Sequence, residues 1–183
     1  MADKPMADKP MADSRLPAVR PIVVAPAPVL RAPARPVRLP DPGVSRLVDE
    51  LFATMRANAG LGLAAPQLGD SLRVAVVEAE GRQFVLVNPT LVAARGNVPG
   101  WEGCLSVPYL VGWLGRPAEV VVTGLDLAGH RVRWRARGLA ARAIAHELDH
   151  LEGRLYLDRI APAGRPQDLV DTREHPTPPA RRT

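Results

Sequence analysis

The apolar positions that follow residue 41 repeat with the period of an α-helix. Asp41 and the proline after it form a pair typical of a helix N-terminus, and Asn58 and Gly60 are stop signals. The apolar residues between them fall three or four positions apart and form one face for burial: Val44, Leu47, Val48, Leu51, Phe52 and Met55. The pattern predicts one amphipathic helix in this segment.

Two later segments have the composition of paired β-strands. Residues 72–92 contain two β-favouring runs around a turn at Ala79–Gly81, and residues 118–136 contain a second pair with a turn near Asp126–Gly129. In the last strand, apolar residues alternate with Arg131, Arg133, Arg135 and Arg137. This alternation indicates a half-exposed strand, and a solvated arginine face is favoured over a face that contacts phosphates.

The segment that follows Gly138 predicts a second helix, which ends near Gly153. Its residues available for burial are Leu139, Ala143, Ile144 and Leu151. Because helix, strands and helix follow one another without βαβ alternation, we expect an α+β fold with antiparallel sheets around this central helix. Before the first helix, residues 16–40 alternate apolar residues with proline and predict an extended arm that lies on the body.

The composition changes towards both ends of the 183-residue chain. Residues 1–13 repeat one pentapeptide without a hydrophobic pattern, and most of the 20 prolines lie before residue 43 or after residue 160. We therefore expect a disordered tail or start-site repeat over residues 1–15, one compact domain over 16–162, and a flexible Pro/Arg-rich tail over 163–183.

The formal net charge of +5 comes almost entirely from arginine. Such a charge suits an RNA-rich neighbourhood such as the ribosome, but a coding bias towards arginine is favoured because the arginines form no single cluster. One cysteine excludes an internal disulfide framework and fits a reducing cytosol. No apolar run reaches the ~20 residues that cross a bilayer, and the N-terminus lacks a secretory signal. We expect a cytoplasmic protein without DNA or membrane partners.

The segment HELDH is the first candidate for chemistry. On a helix, His146 and His150 emerge from one face, and Glu147 lies beside the first of them. Two neutral imidazoles that converge can bind a metal ion, and a nearby carboxylate can take a proton from an activated water. The pattern favours a metal site over a solvent-facing coincidence, but it requires a third protein ligand.

Candidates for that third ligand lie on both sides of HELDH. Downstream, Tyr156 stands where a metzincin has histidine, and Asp158 is a carboxylate close in sequence. Upstream, Cys104 with two histidines would make a tetrahedral site with one open position. The alternative role for Cys104 is that of a small buried hydrophobe. Sequence spacing alone leaves this choice open.

The segment GLGLAAPQ follows the first helix and lacks both the third glycine of a dinucleotide-binding loop and the Lys-Ser/Thr of a phosphate-binding loop. Its glycines let a backbone pass close to a ligand. The groups of interest are the main-chain N–H and C=O of Leu61 and Gly62 and the side-chain amide of Gln67, for which a surface turn position is an equal alternative.

Together, GLGLAAPQ, EGCLS and HELDH in this order resemble the motifs of the peptide deformylase family over roughly residues 17–160. The resemblance implies a metal-dependent hydrolase that removes formate from N-formylmethionine of nascent peptides. It implies Fe²⁺ as the cellular ion, with Zn²⁺, Ni²⁺ or Co²⁺ as alternatives, held by Cys104, His146 and His150. Glu147 would be the general acid/base, and Gln67 and the N–H of Leu105 would hold the oxyanion. The implied substrate-binding residues are Leu61, Gly62, Leu139 and Ala143.

The chain departs from the family pattern at Ala145, where glutamine is usual, and at Leu114–Arg116, where the family has Val-x-Arg. We expect Arg116 to pair with Asp149 and brace the ligand helix. The chain also lacks a long final helix, so docking at the ribosomal exit tunnel through such a helix is not implied. Two competing hypotheses stay open: a zincin-type endopeptidase, and a deformylase-like domain that binds a peptide or metal without turnover.

Overall fold

A computed structural model describes residues 17–160 and 168–177; the tail predicted over residues 1–15 lies outside them. The helices within the described parts are α1 (Pro42–Ala57), α2 (Gly138–Leu151) and the short α3 (Leu157–Ile160). The strands are β1 (Gly62–Ala64), β2 (Val74–Ala79), β3 (Arg82–Arg95), β4 (Val98–Cys104), β5 (Val107–Arg116), β6 (Glu119–Leu125), β7 (Arg131–Arg137) and β8 (Leu169–Asp171).

The strands form two antiparallel sheets. The larger has the order β1-β2-β3-β6-β7, and the smaller has the order β4-β5-β8. The α+β class is thereby confirmed, as are both predicted hairpins, β2–β3 and β6–β7. The hairpin β4–β5 and the pairing of β8 with β5 were not predicted from the sequence.

The two long helices pack on opposite faces of the larger sheet because side chains alternate along a strand. Val74 and Val76 of β2 belong to the cluster with α1, whereas Ala75 and Val77 belong to the cluster with α2. The helix α1 begins as predicted, with the Asp41 carboxylate accepting a hydrogen bond from the Gly43 N–H (2.7 Å).

The predicted burial of the second helix is confirmed for three of its four residues. Ala143, Ile144 and Leu151 are buried, but Leu139 is 42% exposed. This correction has a geometric reason: Leu139 lies in the first turn of α2 and lines an open cleft rather than the core.

The Pro-rich arm lies on the body as predicted, but its extended course is interrupted by one 3-10 turn at Pro28–Arg31. Its main chain donates hydrogen bonds to the carbonyls of Gln67, Ser106 and Leu151, from Val23, Ala25 and Ala34 respectively. These three acceptors belong to the segments around GLGLAAPQ, EGCLS and HELDH. The arm therefore ties together the parts of the chain that hold the candidate chemistry.

The strand β7 is half-exposed, as its alternation predicts. Its four arginines are exposed, while Ala136 is buried and Val132 and Trp134 are partly buried. Glu119 on β6 pairs with Arg135 (2.7 Å) and Arg137 (2.8 Å). Among the described residues, no helix has the length and apolar character needed to cross a membrane.

Candidate active site

The helix α2 presents two imidazoles side by side. His146 and His150 are one turn apart, both are buried, and their ring centroids are 4.9 Å apart. This spacing agrees with the prediction that both rings emerge from one helix face.

Cys104 reaches these rings from the hairpin β4–β5. It ends β4, and its Sγ lies 3.2 Å from Nε2 of His150. The sulfur and one nitrogen from each histidine lie within 4.8 Å of one another. Because metal bonds to such donors are about 2.0–2.3 Å long, the three atoms are close enough to share one divalent cation after small side-chain adjustments. The upstream candidate therefore joins the histidines.

The downstream candidates have other contacts. The hydroxyl of Tyr156 donates to the carbonyl of Leu110 (2.8 Å), and its ring stacks at 6.3 Å from that of His146. Asp158 accepts hydrogen bonds from Arg31 and from the Leu155 N–H. Neither residue offers a third donor to the histidine pair.

A buried ion network supports the donors from behind. Nδ1 of His146 lies 2.7 Å from Oε1 of Glu102, and the Arg116 guanidinium binds Glu102 (2.9 Å) and Asp149 (2.5 Å). The expected pairing of Arg116 with Asp149 is thereby confirmed. Sequence reasoning missed the role of Glu102, although it lies in the quoted EGCLS segment. A carboxylate partner could have been expected, because a metal-binding histidine generally donates its second N–H to a carboxylate or carbonyl.

Charges in this network shift the pKa values of its members. Burial alone would raise the pKa of Glu102, but hydrogen bonds from Arg116 and His146 lower it to about 2. Burial would lower the pKa of His146, but the hydrogen bonds to Cys104 and Glu102 raise it well above its ordinary value. The pocket therefore favours positive charge between these donors. Burial, with the charge of His146, lowers the pKa of His150 to about 3, so its ring is neutral and able to bind a cation.

Glu147 lies next to the donors in a position suited to proton transfer. It is 3% exposed, and its Oε2 has no hydrogen-bond partner among the described residues. Burial raises the pKa of this carboxyl to about 7, near the value at which a group both accepts and returns a proton at neutral pH. Gly62 provides the space for it, because a Cβ at that position would lie 2.4 Å from Oε1 of Glu147.

Gln67 lies beside Cys104 in the interior of the protein. The alternative that it occupies a surface turn is therefore wrong. Its side chain is buried, accepts from the Ala64 N–H (2.8 Å) and donates to the Ser106 hydroxyl (3.2 Å). Its Nε2 lies 3.7 Å from Sγ of Cys104. Leu105 follows the cysteine and, with Gln67, lines the same cleft.

The cleft in front of the donors has a volume of about 650 Å³, and its lining includes Cys104, His146 and Glu147. It is bordered by β1 and β4, each at the edge of its sheet. Leu61, Gly62, Leu139 and Ala143 all line it. The carbonyl of Leu61 accepts a hydrogen bond from the Glu78 N–H (2.8 Å), so by strand alternation the free main-chain groups at this edge are those of Gly62.

The site combines one sulfur donor and two imidazole nitrogens with a buried carboxyl whose pKa is close to 7, in a cleft at a sheet edge. This combination is typical of a metal-dependent hydrolase that acts on peptides. The family model described as polypeptide deformylase matches residues 19–166. The chain belongs to the polypeptide deformylase family, hydrolases that remove the N-formyl group from nascent peptides. The resemblance drawn from the three motifs is thereby confirmed.

Relatives and solved structures agree with this assignment. A peptide deformylase of Symbiobacterium thermophilum is 45% identical over 145 residues, which cover 78% of this chain and 67% of that protein. The crystal structure of a peptide deformylase from Legionella pneumophila has a TM-score of 0.76 at 39% identity, covering 79% of this chain and 88% of that one. A class I type b peptide deformylase from Acinetobacter baumannii, bound to Met-Ala-Ser, has a TM-score of 0.74 at 34% identity, covering 79% and 99%.

The contact between Gly62 and Glu147 leads to a first prediction. Gly62→Ala places a methyl group where the Glu147 carboxyl lies, so we expect kcat/KM for formate release to fall at least about tenfold, the cost of displacing a proton-transfer group. Metal content should stay unchanged because the three donors are not touched. Gly43→Ala is the control, since Gly43 lies in the first turn of α1 outside the cleft, without a left-handed φ, and the atom nearest to its added Cβ belongs to the exposed Asp41 side chain. Wild-type kcat/KM in Gly62→Ala would contradict the proposed position of Glu147.

Proposed function

We propose that this chain hydrolyses the formamide bond of N-formylmethionyl peptides with the residues of this cleft, releasing formate and a free amine. The observation that carries the proposal is the meeting of Cys104, His146 and His150 beside the buried carboxyl of Glu147. A thiolate and two imidazoles leave a fourth position open, which is the arrangement of catalytic rather than structural metal sites.

The donor set suits one divalent cation per chain. A cation held by Cys104, His146 and His150 would polarise a water molecule and lower its pKa towards neutrality. Thiolate and imidazole ligands are compatible with Fe²⁺, which we propose as the cellular ion, and also with Zn²⁺, Ni²⁺ or Co²⁺.

The remaining steps belong to the protein side chains. Glu147 takes a proton from the attacking water and returns it to the amine as the carbon–nitrogen bond breaks. The amide of Gln67 and the N–H of Leu105 donate to the formyl oxygen while negative charge develops there. Gln67 is held for this role by its bonds to Ala64 and Ser106, so its amide does not need to reorganise during the reaction.

The substrate binds, in this proposal, as an added strand. Its main chain pairs with the free N–H and C=O of Gly62 at the edge of the larger sheet. Its methionine side chain lies against Leu61, Leu139 and Ala143, which offer apolar surface at the cleft. The Met-Ala-Ser bound to the Acinetobacter baumannii enzyme is a peptide of the kind that deformylation would release, which supports this choice of substrate.

A substrate that is a nascent peptide also indicates where in the cell the protein acts. We propose that the protein acts in the bacterial cytoplasm, near the exit tunnel of the ribosome where such N-termini emerge. A solvated face stays the favoured role for most of β7, but among the described residues its Arg131 and Arg133 are exposed and form no ion pair, so we propose these two as the contact with ribosomal RNA. We also propose that one catalytic domain spans residues 16–162 between the flanks 1–15 and 163–183, with β8 of the second flank packed onto it.

The activity is tested by formate release from formyl-Met-Ala-Ser with protein loaded with iron in the absence of oxygen. We expect turnover by the wild type and a loss of about 10²–10⁴-fold in kcat for Glu147→Gln, the usual contribution of a general acid/base. Glu152→Gln is the matched control, because this exposed carboxylate pairs with Arg73 outside the cleft. Cleavage of long unformylated peptides instead of formate release would favour the endopeptidase, and binding without turnover would favour the non-enzymatic domain.

Ribosome docking is tested by co-sedimentation with purified ribosomes at low and high salt. We expect association that weakens as salt rises, and a smaller bound fraction for the double variant Arg131→Gln/Arg133→Gln, because each lost phosphate contact reduces affinity and its salt dependence. Equal sedimentation of the wild type and the double variant would show that this surface does not dock.

A further inference from the structure

The hairpin that carries Cys104 contains an irregularity beside the candidate active site. Gly103 pairs with Val111, but the next residue, Cys104, pairs with Val107. Residues 108–110 are therefore extra on the β5 side and bulge out of the ladder. We call them the β5 bulge. Its central residue, Tyr109, has φ +66°, a left-handed conformation that is unfavourable for a side chain of this size.

The C-terminal strand holds this bulge from outside. β8 pairs with Leu110, Val111 and Gly112, and just beyond it Thr172 donates to the Tyr109 carbonyl from its main-chain N–H (2.8 Å) and its hydroxyl (3.2 Å). The Arg173 guanidinium lies over the Tyr109 ring, 5.2 Å from the centroid. The contacts from Thr172 and Arg173 thus stabilise a backbone conformation of Tyr109 that is unfavourable by itself. Such conformations are common at functional sites.

The bulge and the C-terminal segment border the catalytic cleft. Tyr109 and Thr172 line it together with Cys104, His146 and Glu147, and Tyr109 is 58% exposed. The Arg173 guanidinium, which also pairs with Asp171, contacts the Tyr109 ring and favours its position at the cleft border. An aromatic ring in such a position offers a flat surface to a passing side chain.

We infer that Tyr109, positioned by β8 and Arg173, forms a subsite for the residues that follow methionine and selects peptides with an aromatic side chain there. The inference rests on the proposed function, since it concerns the same cleft. The Met side chain already has apolar surface at Leu61, Leu139 and Ala143, so Tyr109 is available to later residues of the peptide. Stacking of a substrate ring on Tyr109 would lower KM more than it changes kcat, because the contact lies away from the bond that breaks.

The test compares kcat/KM for formyl-Met-Ala, formyl-Met-Ala-Gly and formyl-Met-Ala-Phe. For the wild type we expect the Phe peptide to exceed the Gly peptide by about threefold to tenfold, the size of an aromatic pair contribution. Tyr109→Gly removes the ring and tolerates the positive φ, so the protein should fold while the preference falls below about twofold. Tyr109→Phe keeps the ring and should keep the preference.

Two further variants separate positioning from direct contact. Val170→Pro interrupts the pairing of β8 with β5, and Arg173→Gln removes the guanidinium from the ring; both should reduce the Phe-over-Gly preference through KM. Arg46→Gln, exposed on α1 and outside the cleft lining, is the control for loss of an arginine. No formate from any peptide would overturn the proposed function itself. Formate release without a Phe preference, or with a preference that Tyr109→Gly retains, would overturn the subsite alone.

Discussion

The buried contact of Arg116 with Glu102 and Asp149 is the interaction on which the site depends. It joins β4 and β5 of the small sheet to α2 of the central core, and thereby holds Cys104 against the histidines. Arg116 is 1% exposed, so its charge is compensated by these carboxylates rather than by water. Removing one partner of such a buried pair typically costs about 3–5 kcal/mol. Arg142 of α2 adds a further ion pair to Glu102 (3.2 Å), so a buried ion network joins the small sheet to the helix.

The same arrangement explains how the cleft combines rigidity with access. The arm closes the rear of the site by bonding to the segments of Gln67, Ser106 and Leu151, while the edges of β1 and β4 stay open in front. Glu102 orients His146 and also keeps its own charge, because Arg116 and His146 lower its pKa to about 2. Glu147, without such a partner, has a pKa near 7. Two carboxyls in one pocket are thus separated into a positioning group and a proton-transfer group by their neighbours.

Local patterns were sufficient to predict most of the elements but not how they meet. The cap at Asp41, the period of α1 and the turn residues of two hairpins are encoded within a few neighbouring positions, and these predictions are confirmed. The β4–β5 hairpin has an irregular register, and β8 is three residues long, so neither produces a clear alternation. That Cys104 faces the histidines is a property of packing between distant segments. Only the joint resemblance of three motifs anticipated it, and Glu102 was missed because its partners His146, Arg116 and Arg142 are distant in sequence.

The central claim is that Cys104, His146 and His150 bind one cation that leaves a position for water. X-ray absorption spectroscopy of the metal-loaded protein tests it most directly. We predict one sulfur ligand at about 2.3 Å and two nitrogen ligands at about 2.0–2.1 Å, with the sulfur contribution absent in Cys104→Ala. A first coordination sphere of nitrogen and oxygen alone in the wild-type protein would contradict the claim.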